Sequence, residues 1–500
     1  MKEKCKLIIH DEVNCEFVGL TPAVRRACSN KLKFFIEAAR HTPAFKLGRW
    51  DGYVRFFHLN GNTYTNLLEH VLPTIIENNY EIEIIDNRVQ IDFEFPVIDE
   101  EFLVDNAPNS VWPKGHPCEG ENILLRPHQV ECLNSFTDNP RSLGEISTGA
   151  GKTIISACMS ILGEPYGRTL VIVPSRDLVK QTQKDYELLG LDVGVFYGSK
   201  KEVDKTHTIC TWQSLESWNK TGTTKDGEDI HDFAKSLSTI IVDECHQAKS
   251  NVLQKLLGGT FKNVPIRWGI SGTIPKDLSV LYSLNAVIGS IVANVRARDL
   301  MDKGILSDCN INILQLIDNG EYDSYQSELK FLISDPDRLD WMAEFIKNTA
   351  LTGNTVVLYT RVETGEELHA RIPDSYLVHG AVKSQDREEA YETINDDDGK
   401  VVIASFGVAS TGLNLPRIFN LILVEPGKSF VRVIQSIGRG VRKAKDKDHV
   451  EIYDLCSTLK YSKKHLTSRK KLYEEAGYPF NVKKVDYHFD LLSGSISSNT

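Results

Sequence analysis

The sequence predicts a small α+β domain followed by two α/β domains, each built on a parallel sheet. Three observations carry that expectation. The chain has 500 residues, too many for a single core. Strand-like apolar runs alternate with helical stretches from 123 to about 300, and again from about 305 to 460. Residues 106–122 hold three Pro and two Gly and read as a linker between folded parts.

In chain order, residues 1–105 form the first part. Lys4–Ile9, Tyr53–His58 and Tyr80–Ile85 have strand character, and Pro22–Ala39 and Leu67–Asn78 read as helices. Residues 1–58 hold 11 Lys/Arg against 6 Asp/Glu, whereas residues 59–105 hold 1 against 11. That split suggests one face for a polyanion and one turned away, although uneven solvated charge would give the same count. Residues 123–303 form the second part, with strands at Thr169–Val173, Thr208–Thr211, Thr239–Val242 and Ile266–Ile270. Residues 217–232 are polar and contain Gly, and read as an exposed loop within it. Residues 304–460 form the third, with strands at Thr355–Tyr359, Tyr376–His379, Val401–Ala404, Leu421–Val424 and Val450–Tyr453. Residues 461–500 read as a basic extension; 460–471 hold six Lys/Arg and no acid, fit for phosphate contact or for a solvated helix face.

Composition narrows the function. The net charge of −10 excludes a uniformly basic coat but leaves room for a local basic groove. Ten scattered cysteines with no C-x-x-C pair argue against a zinc knuckle or disulfide framework, and fit reduced thiols in a cytoplasmic protein. The apolar run Leu7–Ile9 is too short for a signal-peptide core, and no stretch approaches a membrane span.

Two strings carry the chemistry. Ser147-Thr148-Gly149-Ala150-Gly151-Lys152-Thr153 is a phosphate-gripping turn: its glycines let backbone N–H groups point at phosphate oxygens. Lys152 suits the β/γ-phosphates, Thr153 suits Mg²⁺, and the apolar run 153–162 continues as a helix. Ile146 stands where the full phosphate-loop pattern has Gly. The second string, Val242-Asp243-Glu244-Cys245-His246, ends a β-branched strand. Asp243 suits Mg²⁺ through water, and Glu244 suits orienting or deprotonating the attacking water. An Asp-Glu pair after a strand also caps helices, but that reading does not call for a phosphate loop upstream. The pair therefore reads as an ATPase.

Over about residues 123–460 the chain resembles superfamily 2 helicases of the DExH kind, with the family's motifs in order. The resemblance implies two tandem RecA-like domains and one ATP, with Mg²⁺, bound between them. Leu125-Arg126-Pro127-His128-Gln129 is similar to the adenine-reading segment, which implies base contact by Gln129 beside Arg126. Ser147 is a departure, since many members carry Pro or Ala there. Arg176 lies in a motif Ia-like segment, and Thr211-Trp212-Gln213 in one like Ib. Ser271-Gly272-Thr273 resembles motif III, implying coupling of hydrolysis to closure together with His246. Thr360-Arg361 resembles motif IV, and Ser410-Thr411-Gly412 motif V; with Ia and Ib they imply a groove for one DNA strand. Gln435 through Arg442 resembles motif VI, which implies that Arg439 and Arg442 act as arginine fingers. Ahead of the core, Arg49-Trp50-Asp51-Gly52-Tyr53-Val54-Arg55 resembles the Trp-Asp-Gly signature of phage branch-migration helicases of the UvsW type. That implies recognition of branched duplex DNA through Arg49, Trp50 and Arg55, by a monomer in a host's cytoplasm. An Asp-Gly turn behind a buried Trp explains the same string without DNA. RNA unwinding, duplex translocation for a separate nuclease, and an ATP-gated annealing clamp stay open alternatives.

Overall fold

The computed structural model describes residues 3–114, 118–224, 227–247, 250–275, 277–380, 382, 397–408, 417–427 and 449–493. The chain divides into two compact units, residues 1–146 with 151–294, and residues 147–150 with 295–500.

The first unit holds two main sheets and a two-stranded hairpin. Its small sheet runs Asn62–Tyr64, Asn14–Val18, Glu3–Ile9, Tyr80–Asp86, with the last pair parallel and the others antiparallel. Leu7, Phe17, Phe57 and Val71 fill its core. The parallel pairing sets Glu81 and Glu83 across from Lys4 and Lys6, at 3.9 and 3.5 Å, so part of the charge split is paired within the sheet. The expected helix over Pro22–Ala39 stops at Lys31. Lys33–Phe35 instead pairs with Tyr53–Arg55 as a hairpin, because its aromatic side chains find strand partners that a helix would not offer.

The large sheet has eight strands in the order Lys200–Lys201, Val193–Tyr197, His207–Thr211, Arg168–Val173, Leu237–Asp243, Ile266–Ser271, Arg141–Ile146, Ser290–Val295. From Val193–Tyr197 to Arg141–Ile146 every pairing is parallel. The β-branched runs read from the sequence form its fully buried centre. The stretch 217–232 differs from expectation. It contributes to two helices, Trp212–Thr221 and Ile230–Ser236, because Trp218, Ile230 and Phe233 are core residues.

The small sheet's domain is docked on the large one through charge and shape. Glu12 accepts from Arg141 at 2.5 Å and from Arg88 at 3.2 Å, while Asp11 lies 3.4 Å from Lys262. The Asn14 amide donates to Gly258 O at 3.0 Å, and the Phe34 ring packs on Tyr282 with centroids 4.5 Å apart. Below this seam Arg267 is 1% exposed and donates to four carbonyls, those of Leu257, Phe261, Val264 and Val287. Burial brings its pKa down to about 9, with Glu12 and Asp11 opposing that shift. The segment expected as a linker is also bound to the surface. Asn109 N donates to Leu189 O at 3.0 Å, and the Asn109 side-chain amide donates to Leu188 O at 2.6 Å.

In the second unit seven strands run Ser375–Val378, Val401–Ser405, Thr355–Tyr359, Asn420–Val424, His449–Ser457, Asp308–Leu316, Phe480–Val485, all parallel. The last strand and the helix Lys460–Ala476 lie in the stretch expected as an extension. They complete this sheet instead, because Arg469 and Tyr473 bury against Asp454 at 2.8–2.9 Å. No helix among the described residues is long and apolar enough to cross a membrane.

Candidate active site

The site lies at the carboxyl ends of the large sheet's strands, where parallel α/β sheets bind ligands. The strand Arg141–Ile146 leads into the glycine turn, and the helix Lys152–Gly163 follows it. Gly149 and Gly151 have φ of 89° and 85°, the left-handed region that favours glycine. A side chain at Gly151 would also collide with the Gln129 amide nitrogen. Gln129 is buried at the start of the helix Pro127–Thr137, and its carbonyl accepts from Arg126 N at 2.8 Å. Arg126 itself is exposed. Ser147 N donates to Val295 O at 2.9 Å, and Ala150 N to Ser147 O at 3.3 Å. The Ser147 hydroxyl is buried with no hydrogen-bond partner among the described residues.

Lys152 and Glu244 meet at 2.6 Å, their side chains 12% and 10% exposed. Glu244 follows the last residue of the strand Leu237–Asp243 and has φ of 48°, a strained backbone for a residue other than glycine. Lys152, the Gly272 N–H at 3.3 Å, and its own N–H donating to Asp243 Oδ1 at 2.8 Å help hold it. His246 Nδ1 lies 2.6 Å from Ser271 Oγ and 3.4 Å from Glu244 Oε2. Since Ser271 Oγ donates to Thr273 O at 2.6 Å, the bond to His246 requires a proton on Nδ1. Burial depresses the His246 pKa, with Glu244 pulling the other way. Of the expected coupling residues, Gly272 bonds Glu244 directly, and His246, Ser271 and Thr273 form a hydrogen-bonded chain beside it.

Burial pushes the Glu244 carboxyl up, but Lys152 and His246 outweigh it and hold the group below the usual carboxylate range. A carboxyl held below its unfolded pKa stabilises the fold above that unfolded value, and the gain vanishes as pH falls through the folded one. Replacing Lys152 with Met removes the larger of the two charges and leaves burial to dominate. Glu244 then takes up a proton in the folded state, and its contribution declines as pH rises. The Lys152→Met melting midpoint should therefore gain on the wild type as pH drops from about 8 to about 5. A constant gap across that range would contradict the assignment.

Asp243 and Thr153 offer the oxygen donors that Mg²⁺ prefers, a carboxylate at a strand end and a hydroxyl on the first helical turn. The helix bearing Thr153 packs on the strand bearing Asp243.

Along the same sheet edge lies a cleft of about 430 Å³ lined by Arg176, Thr211, Gln213, Ser175, Lys201 and Ser217, among others. Two helix N-termini open on it, capped by Ser175 and Thr211 at 3.3 Å each. Their positive dipole ends and the Arg176 and Lys201 cations suit an anionic strand. Trp212 does not line this cleft; its ring packs on the unit's core. Sequence reasoning missed Lys201, whose two-residue strand shows no apolar alternation.

In the second unit, Thr360 Oγ1 donates to Glu425 O at 3.2 Å, and Arg361 is exposed at the start of the helix Val362–Arg371. Ser410, Thr411, Gly412, Gln435, Arg439 and Arg442 lie outside the described residues. In the hairpin, the Trp50 indole donates to Tyr53 O at 3.0 Å. Gly52 takes φ of 81° against the Phe35 ring. Arg55 hydrogen-bonds Asp51 and holds that carboxyl down to about 2. Trp50 and Arg55 thus build the turn, and Arg49 is left exposed.

Two family models match the chain: "Type III restriction enzyme, res subunit" over residues 122–276, and "Helicase conserved C-terminal domain" over residues 337–444. The chain is 24% identical over 462 residues to the ATP-dependent DNA helicase uvsW of Enterobacteria phage T4, covering 88% of each. It is 22% identical over 398 residues to the DNA 3′-5′ translocase XPB2 of Sulfurisphaera tokodaii, covering 70% of this chain and 84% of that protein. Among solved structures it resembles the ATP-dependent Type ISP restriction-modification enzyme LlaBIII bound to DNA. The TM-score is 0.53 at 15% identity, over 83% of this chain and 34% of that one.

Proposed function

This chain belongs to the superfamily 2 helicases and hydrolyses ATP, and from that premise we propose that it is a DNA motor that unwinds or branch-migrates forks, Holliday junctions and displacement loops. One observation carries the reading. The Lys152–Glu244 pair and the cleft of Arg176, Thr211, Gln213 and Lys201 share one edge of one sheet. Turnover and strand grip are thereby set on a common rigid support.

Lys152 would exchange Glu244 for the β/γ-phosphates, and the released carboxylate would orient the attacking water. Thr153 and Asp243 would hold Mg²⁺, which supplies charge neutralisation on the phosphates. A change at Glu244 reaches Ser271–Thr273 through Gly272 and His246, which is how the coupling residues would sense hydrolysis. Arg439 and Arg442 would complete the charge stabilisation, with Gln435 beside them, and Gln129 and Arg126 would read the base. Arg361, Thr360 and Ser410–Gly412 would extend the grip on the strand. The branched-DNA part of the reading is supported by the similarity to the phage T4 helicase and by Arg49 on the hairpin.

ATPase stimulation by single-stranded DNA, a fork, a four-way junction and an RNA duplex tests the substrate. Stimulation by the DNA forms, greatest with the branched ones, is expected. A clear preference for the RNA duplex would refute the proposal.

A further inference from the structure

The helix Lys460–Ala476 begins just past the strand His449–Ser457, on the carboxyl edge of the second sheet. Lys460, Lys463, Lys464 and Lys471 are exposed on it, and none has a carboxylate partner among the described residues. The arrangement opposes the fold. Lys460 and Lys464 repel one position-four neighbour with another, and cations at a helix N-terminus oppose the dipole. That helix end is already satisfied. Glu328, 1% exposed, accepts from Tyr461 N at 2.9 Å and Ser462 N at 2.6 Å. The lysines are therefore surplus to folding, whereas Arg469 of the same basic run is consumed by Asp454.

Half-buried rings stand beside these charges. Tyr325 meets His465 edge-on with centroids 4.7 Å apart and lies 6.4 Å from Tyr461. Lys460 Nζ sits 5.4 Å from the Tyr461 ring centre, and the Tyr461 hydroxyl is fixed to Asp323 O at 2.8 Å. Gln326, next to Tyr325, accepts from Arg361 at 3.4 Å, which joins the patch to the proposed grip on the strand.

Resting on the DNA-motor reading, we infer that Tyr325, Tyr461, Lys460, Lys464 and Arg361 form a binding patch for single-stranded DNA. Tyr325 stacks a base, and the cations hold the phosphates. A duplex hides its base faces, and an acidic peptide would engage the lysines but leave the rings idle; rings and cations together match unpaired nucleotides.

Fluorescence anisotropy of the full chain with a labelled oligo-dT and with a blunt duplex of equal length tests the patch. Tyr325→Ala should weaken oligo-dT binding about tenfold and leave duplex binding within about twofold, and Tyr325→Trp should restore it. The Lys460→Gln/Lys464→Gln double variant should lower the slope of log K against log salt by about 1.4 on oligo-dT. Wild-type oligo-dT affinity and salt slope in all these variants would overturn the inference and leave the motor reading standing. So would equal losses on duplex and oligo-dT for Tyr325→Ala, or tighter capture of poly-glutamate than of oligo-dT by the wild type. A wild-type chain that binds neither DNA would overturn both.

Discussion

Lys152→Ala should lower the ATP turnover number by about 10²–10³-fold, the loss seen when one preorganised donor to a developing anionic charge is removed. The side chain is positioned by its place one residue past Gly151, at the start of the helix Lys152–Gly163, and by Glu244 at 2.6 Å. Removing it has two effects. The transferring phosphoryl group loses a cation, and Glu244 becomes a buried carboxyl held chiefly by His246 and the Gly272 N–H. A protonated Glu244 orients water poorly, so the loss in turnover should grow as pH falls. Glu244→Gln should cost a comparable 10²–10⁴-fold while keeping nucleotide binding. Steady-state phosphate release against pH checks both variants. Turnover within tenfold of the wild type in either would remove that residue from the chemistry.

Glu12→Ala should destabilise the first unit by about 3–5 kcal/mol, the cost of stranding buried charge after one partner is removed. Glu12 is only 8% exposed and receives both Arg141 and Arg88. Arg88 keeps Asp86, whose carboxyl it holds down to about 2, so Arg141 is the group left without its acid. Arg141 opens the strand that ends at the phosphate loop, and Arg267, four carbonyls deep, belongs to the neighbouring strand that ends at Ser271. The small domain is thus tied, through Glu12 and Arg141, to the start of the strand whose far end carries the phosphate turn. Chemical denaturation would read the loss, and limited proteolysis should release the N-terminal domain at lower protease concentration than in the wild type. An unchanged midpoint would show that the seam is held by Phe34, Tyr282 and their neighbours rather than by charge.

The central strands and both nucleotide strings were legible because their signals are local. A β-branched run such as Leu237–Asp243 is buried on both faces, and a glycine at φ 85° leaves its mark in the string itself. The elements that escaped depend on distant partners. Lys33–Phe35 became a strand only because Tyr53–Arg55 lies alongside. The stretch 217–232 looked polar, yet its Trp218 and Ile230, with Phe233 just beyond it, carried the apolar spacing that buries it. Phe480–Val485 was hidden by exposed lysines, the composition that protects an edge strand from further pairing. In the site, the Trp-Asp-Gly string was legible as an Asp-Gly turn, whereas the bonds Trp50 and Arg55 make within that turn were not. Lys201 had no readable signal, since what makes it part of the cleft is its pairing with Val193–Tyr197, which lies next to the strand His207–Thr211.

ATP-dependent strand displacement from a labelled DNA fork, measured for the wild type and Lys152→Ala side by side, tests the central claim most directly. The wild type should displace the strand only with ATP, and Lys152→Ala should bind the fork with near wild-type affinity and displace nothing. Displacement that survives Lys152→Ala, or a wild type that hydrolyses ATP and never separates the strands, would contradict the account of this chain as an ATP-driven DNA motor.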